Sequence, residues 1–146
     1  MKSKVLFTKA MKPEAVLKMY TLLGKELTGR IAVKLHSGEA GNQNFLRPEF
    51  FKPIIEAVGG TVVECNTAYD GERNSSEKHW KTLHNHGWTK YFPVDLLDEE
   101  GPDLELSIPD GHVIKKIMWE NICRIMTACW FYPILKVIRW EATAER

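Results

Sequence analysis

Two short apolar runs, Ile31–Leu35 and Thr61–Glu64, each pass directly into a polar, glycine-containing loop, and a proline-opened amphipathic stretch separates them. This spacing constrains the fold more than any other feature. Two strands joined through a helix-length connection pair in parallel, because an antiparallel pair needs only a tight turn. The connecting stretch starts at Pro48, whose missing N–H costs nothing in the first turn of a helix. Its apolar side is Phe50, Phe51, Ile54, Ile55 and Val58; Pro53 is expected to kink or restart it, and Gly59-Gly60 to stop it.

The same alternation extends in both directions. Lys4–Phe7 is a short strand candidate. Pro13 opens a helix in which Val16, Met19, Tyr20, Leu23 and Leu27 recur at helical spacing, with its end expected between Gly24 and Gly29. Ser75 or Ser76 caps a third helix running to about His86, with Gly87 at its favoured C-terminal position. Tyr91–Val94, Leu104–Ile108 and His112–Ile114 are short strand candidates, with an acidic turn at Asp98–Asp103. The order predicts an α/β fold, a mainly parallel sheet flanked by helices.

At 146 residues the chain is one domain by length, with 44% hydrophobic and 27% charged residues, as in ordinary globular proteins. A net charge of +1 leaves no electrostatic footprint for nucleic acid. No apolar run is long enough to span a bilayer and no secretory leader opens the chain, so a cytoplasmic protein is expected. Cys65, Cys123 and Cys129 make neither a disulfide framework nor a four-ligand metal site.

In an open parallel sheet the loops after the strands share one edge, and ligands bind at that edge. The loop His36–Asn44 offers an imidazole, a carboxylate and, through its glycines, close approach to the backbone. The loop Asn66–Asn74 adds a phenol, carboxylates and a guanidinium. His36, Glu39, Tyr69 and Arg73 are the catalytic candidates: His36 with Glu39 suits acid–base work, and Arg73 suits a bidentate clamp on a carboxylate or phosphate. Ser37, Gly38, Gly41, Asn42, Asn66, Thr67 and Arg73 are the ligand-binding candidates. The plainer reading is that Gly, Asn, Asp and Ser are simply what loops need. Neither loop has the glycine spacing of a Walker or dinucleotide fingerprint.

His79 and His86, seven apart, share a helical face and are weak metal candidates, while His84 points elsewhere. Solvated histidines on a polar helix are the simpler reading. Lys9, Lys12, Lys18 and Lys25 read as a solvated face, and Cys65, after an apolar strand, as a buried thiol.

Three segments together carry a resemblance: Ile31–Glu39 with Gly41-Asn42, Asn66–Tyr69 with Gly71 and Arg73, and His79 with His86-Gly87. In this order and spacing, over about residues 4–116, the chain resembles the domain-of-unknown-function 362 family. The resemblance implies an α/β domain. Members often carry ferredoxin-like iron–sulfur modules, which implies a redox-associated intact parent with a 4Fe–4S cluster and a redox partner. This chain has no cluster-binding cysteine motif and is expected to hold no cofactor itself. The family often has an aspartate where this chain has Glu64 or Cys65.

From Ile117 to Arg146 the character changes: the segment holds three of the five tryptophans and two of the three cysteines, with no clean apolar period. Reading each codon one base earlier forces Val from Met118-Trp119, Gly from Trp119-Glu120, Asp from Met126-Thr127 and Gly from Trp140-Glu141. Cys129 through Tyr132 are forced to Leu-Val-Leu, a core strand, which this tail as written is not. The remaining positions permit the family's His-Phe-Lys-Gly-His segment to follow. Lys115-Lys116-Ile117 can be coded as a run of A, where one lost base shifts the frame. Residues 1–116 are therefore expected to be the N-terminal part of the domain, and 117–146 an out-of-frame tail. The competing expectation is a helix carrying Trp119, Ile122, Ile125, Met126, Trp130 and Phe131 at a membrane surface, with Lys136 and Arg139 facing it and Pro133 interrupting it.

Two functions follow. One is an inactive fragment of an iron–sulfur or redox-associated protein. The other is a non-catalytic module that binds a small anionic ligand at the loops 36–44 and 66–74, with no nucleic-acid or membrane partner.

Overall fold

Pro13 and Pro48 each sit in the first turn of a helix, and Gly24 and Gly59 end those helices in the left-handed conformation, at φ 68° and 62°. The computed structural model describes residues 5–101, 104–119 and 126–131. In chain order the elements are α1 (Pro13–Leu23), β1 (Ile31–Lys34), α2 (Pro48–Val58), β2 (Gly60–Glu64), α3 (Ser76–Asn85), α4 (Trp88–Tyr91) and β3 (Val94–Leu96), followed by β4 (Leu104–Ser107), β5 (Lys116–Trp119) and β6 (Ala128–Phe131).

Four strands form one sheet in the order β3-β2-β1-β6, with every neighbouring pair parallel. The expected α/β architecture is therefore present. Lys34 lies opposite Val63 in the β1–β2 register, so the two central strands end at nearly the same level. β4 and β5 form a separate antiparallel hairpin. The core joins Val33 and Leu35 with Val62, Phe51 and Ile55 of α2, and Leu83, Trp88 and Phe92. Burial of each such side chain contributes about 1.5–3 kcal/mol.

Pro53 does not restart α2, which runs continuously from Pro48 to Val58 with the proline inside it. Phe51, Ile54 and Ile55, all 3% exposed or less, hold that helix against the sheet.

Several expected elements differ. Residues 5–7 of the first candidate form no strand: Val5 and Phe7 are more than four-fifths exposed, and no strand pairs with them. Lys4 lies outside the described residues. Tyr91–Val94 is not a strand either. Trp88 and Phe92, four residues apart, are both buried with ring centroids 6.2 Å apart, a separation one helical turn allows and a strand, advancing about 13 Å over four residues, does not; β3 starts only at Val94. His112–Ile114 is part of the turn between β4 and β5, closed by Ile108 N–H donating to Lys115 O at 2.8 Å. The acidic turn is present at Asp98–Gly101, where Gly101 N–H donates to Asp98 O; residues 102 and 103 lie outside the description. Ser75 precedes α3 without a side-chain cap, and that helix ends at Asn85.

The tail also departs from expectation. Ala128–Phe131 joins the main sheet beside β1, although as written it had no strand signal. A ladder is made by backbone N–H and C=O groups, so a short segment without an alternating apolar pattern can still pair. Trp130 packs on Tyr20 of α1, ring centroids 4.9 Å apart. A tail helix carrying Trp119 and Trp130 is ruled out by β5 and β6. Ile122, Ile125, Pro133, Lys136 and Arg139 lie outside the described residues.

Candidate functional site

The polypeptide leaves β1 through Leu35, which is buried, and immediately places His36, Ser37, Gly38 and Glu39 at the carboxyl edge of the sheet. It leaves β2 at Glu64, and the following loop folds back so that Thr67 N–H donates to Arg73 O at 2.8 Å. This closure carries Arg73 over the ends of both strands.

All four catalytic candidates come together there. Arg73 donates through Nε to Glu39 Oε2 at 3.1 Å and through Nη2 to Glu39 Oε1. Tyr69 donates its hydroxyl to the same Oε1 at 3.1 Å, and His36 Nε2 lies 3.6 Å from it. Arg73 Nη2 also approaches His36 Nε2 at 3.4 Å and Tyr69 Oη at 3.4 Å. The Arg73 hydrogen bond leads the effects that hold the Glu39 carboxyl below the usual range, against a raising effect from burial. Burial works against the Arg73 charge, but its hydrogen bond to Glu39 and the charges of Glu64 and Glu39 outweigh it and raise its pKa.

Beneath this cluster lies Glu64, 2% exposed. It was not among the sequence-derived site residues, and neither was Lys34. Glu64 accepts from Lys34 Nζ at 2.6 Å, from Ser37 N–H at 2.9 Å and from Arg73 Nη1 at 3.5 Å. Burial pushes its carboxyl up, yet Lys34, the Ser37 amide and Arg73 together bring it below the ordinary value. The available signal was a lysine and a glutamate, each at the end of an otherwise apolar strand. A buried charge of this kind requires a partner.

Ser37 is a structural hub. Its Oγ meets His79 Nε2 at 3.4 Å, and its carbonyl accepts from Trp88 Nε1 at 2.9 Å and lies 2.9 Å from His86 Nδ1. His79 Nδ1 is 3.2 Å from Asn66 Oδ1, and Asn66 Nδ2 donates to Ser76 Oγ at 3.1 Å. With the amide nitrogen committed to Ser76, Oδ1 is the acceptor, which places the proton on His79 Nδ1 and leaves Nε2 to accept from Ser37. Burial lowers the His79 pKa and keeps the ring neutral. The connectivity is that of a nucleophilic triad, but Ser37 and His79 are both 0% exposed. The row positions the start of the loop rather than presenting a nucleophile.

The other candidates have plain roles. Gly38 has φ 93°, and a Cβ there would stand 2.7 Å from the Phe45 ring and 2.9 Å from His86 Nδ1. Gly41 has φ 74° with open space around it. Asn42 closes the turn, donating N–H to Glu39 O at 3.0 Å and accepting from Asn44 N–H. Thr67 Oγ1 donates to Tyr69 O at 3.2 Å. The plainer loop reading thus accounts for Asn42 and Thr67. His79 and His86 do converge, but on Ser37, and His84 instead meets Thr89 Oγ1. Among the described residues no group of three or more His, Cys, Asp and Glu is arranged to hold a metal ion.

The family model described as Domain of unknown function (DUF362) matches residues 31–129, more than half of the chain. The chain belongs to that family. The match takes in β1, β2, both site loops and α3, and it runs past Lys116 to Cys129. No curated protein and no solved structure matches the chain. A 4Fe–4S cluster, which resemblance to the family implies for a parent protein, is held by four cysteine thiolates. The described thiols are those of Cys65, just after β2, and Cys129, in β6, with β1 between the two strands. The described residues of this DUF362 chain do not make such a site. No helix among them is long and apolar enough to cross a membrane.

Proposed function

We propose that this domain binds a small anionic ligand where the loops 36–44 and 66–74 meet. One observation carries the reading: Arg73, 5% exposed and anchored on buried Glu64, turns its fork into the opposite loop between His36 and Tyr69. The topology supports a site at this edge, because β1 and β2 are neighbouring parallel strands whose following loops leave together. His36 and Tyr69 border the fork and are reachable from solvent, Tyr69 being 58% exposed. Calorimetric titration of the chain with inorganic phosphate and with acetate tests this. Saturable binding lost in Arg73→Gln is expected; binding unchanged in that variant would refute the site.

The redox association is proposed for the intact parent alone, on the family resemblance. Iron and acid-labile sulfide in purified parent protein test it. The tail from residue 117 is proposed to be out of frame. The forced Leu-Val-Leu takes positions 130–132, overlapping the end of β6, which supports that reading because this is where the sheet takes its fourth strand. On it, the chain as written is a fragment that turns over no substrate.

A further inference from the structure

Glu39 is held as a bound ligand would be. Its two oxygens face Arg73 Nε and Nη2, the side-by-side pair that matches a planar carboxylate. The Tyr69 hydroxyl adds a third donor at 3.1 Å and His36 Nε2 stands at 3.6 Å. The Arg73 guanidinium does not depend on Glu39 alone for its placement. Arg73 is held from behind by Glu64, and Glu64 by Lys34 and the Ser37 amide. Glu39 itself is the outermost member of the pair: its side chain is 28% exposed against 5% for Arg73. It sits between Gly38 and Gly41, both in the left-handed region, and no atom crowds Gly41.

Resting on the anion-site reading above, we infer that Glu39 is an intramolecular occupant of a carboxylate-binding site, and that a small carboxylate ligand takes its place. The charge balance selects the class. Lys34 and Arg73 face Glu64 and Glu39, two against two. A monocarboxylate exchanged for Glu39 keeps that balance on the buried side. A dianionic phosphate adds a charge close to Glu64, where burial makes an unmatched charge costly. The exchange needs only side-chain rotation, because the turn is closed by backbone: Asn42 N–H to Glu39 O at 3.0 Å.

An internal competitor weakens apparent affinity by the fraction of molecules in which the site is open. Acetate, with inorganic phosphate and chloride at matched ionic strength, is titrated into the full chain, Glu39→Ala, Glu39→Gln and Glu39→Ala/Arg73→Gln. Acetate is expected to bind Glu39→Ala about tenfold or more tighter than the unaltered chain. It is also expected to raise the thermal midpoint of Glu39→Ala, and to do neither in the double variant. Should Glu39→Ala not fold without acetate, the same gain is read in Glu39→Gln, which keeps the volume and an acceptor. Equal acetate affinity with and without Glu39, still dependent on Arg73, overturns the occupant and leaves the anion site standing. Binding of phosphate in preference to acetate overturns the carboxylate class. Absence of any Arg73-dependent anion binding removes both.

Discussion

Lys34 and Glu64 close the ends of neighbouring parallel strands with a 2.6 Å ion pair whose carboxylate is 2% exposed. Glu64 thereby anchors both loops, since Ser37 N–H and Arg73 Nη1 bond the same side chain. Glu64→Ala leaves Arg73 and Lys34 without their buried counter-charge, and a loss of about 3–5 kcal/mol is expected. Urea unfolding of the full chain checks this. The exposed Lys52–Glu56 pair, one turn apart on α2, serves as contrast: Glu56→Ala is expected to cost about 0.5 kcal/mol or less. Equal effects of the two substitutions would contradict the assigned role of Glu64.

Acid should destabilise the fold in two windows. His79 has its pKa lowered from 6.5 by burial and by the charges of Arg73 and Lys34, against the opposing pull of Glu64 and Asp98. The unfolded chain then binds a proton that the folded one refuses. This stability is complete above about 6.5 and is lost as pH falls from there toward the lower folded value. Glu39 and Glu64 have pKa values below 4.5, so their contributions are present above 4.5 and disappear as pH falls through their folded values. Unfolding free energy measured from pH 8 to 3 is expected to show both losses. His79→Gln should remove the upper one alone, and an unchanged upper loss in that variant would assign it to another group.

Two glycines of one loop separate crowding from backbone strain. Gly38→Ala meets the Phe45 ring and His86 in addition to a left-handed backbone, whereas Gly41→Ala meets only the backbone preference. The left-handed conformation costs about 1–2 kcal/mol for a residue with a Cβ. Gly41→Ala is expected near that value and Gly38→Ala clearly beyond it, read as the difference in denaturation midpoints. Similar midpoints would show that Phe45 and His86 yield freely.

At the DNA level, sequencing across the codons for Lys115–Ile117 is expected to return one additional A. The restored frame then places Leu-Val-Leu at positions 130–132, overlapping the strand now formed by Ala128–Phe131. An unaltered run of bases would make Trp130, packed on Tyr20, a native part of the fold.

The helices were legible where local chemistry speaks alone. Pro13, Pro48, Gly24 and Gly59 mark helix ends through fixed or left-handed backbone angles that need no tertiary partner. The central strands were legible because Ile31–Val33 and Val62-Val63 are apolar on both faces, as a covered parallel strand must be. Reading failed at Tyr91–Val94 and His112–Ile114. In the first, packing the Trp88 and Phe92 rings 6.2 Å apart in the core requires a helical turn; in the second, the β4–β5 register placed the residues in a turn.

The site divides in the same way. Shared-edge reasoning brought His36, Glu39, Tyr69 and Arg73 to one place, since parallel strands force their following loops to emerge together. Which of those groups bond to one another, the anchoring by Glu64 and Lys34, and the row from Ser76 through Asn66 and His79 to Ser37 were decided only in three dimensions. Sequence determines which groups a loop carries. Burial and distance decide their partners, because a buried charge or polar atom must find its counterpart among whatever the packed chain brings within reach.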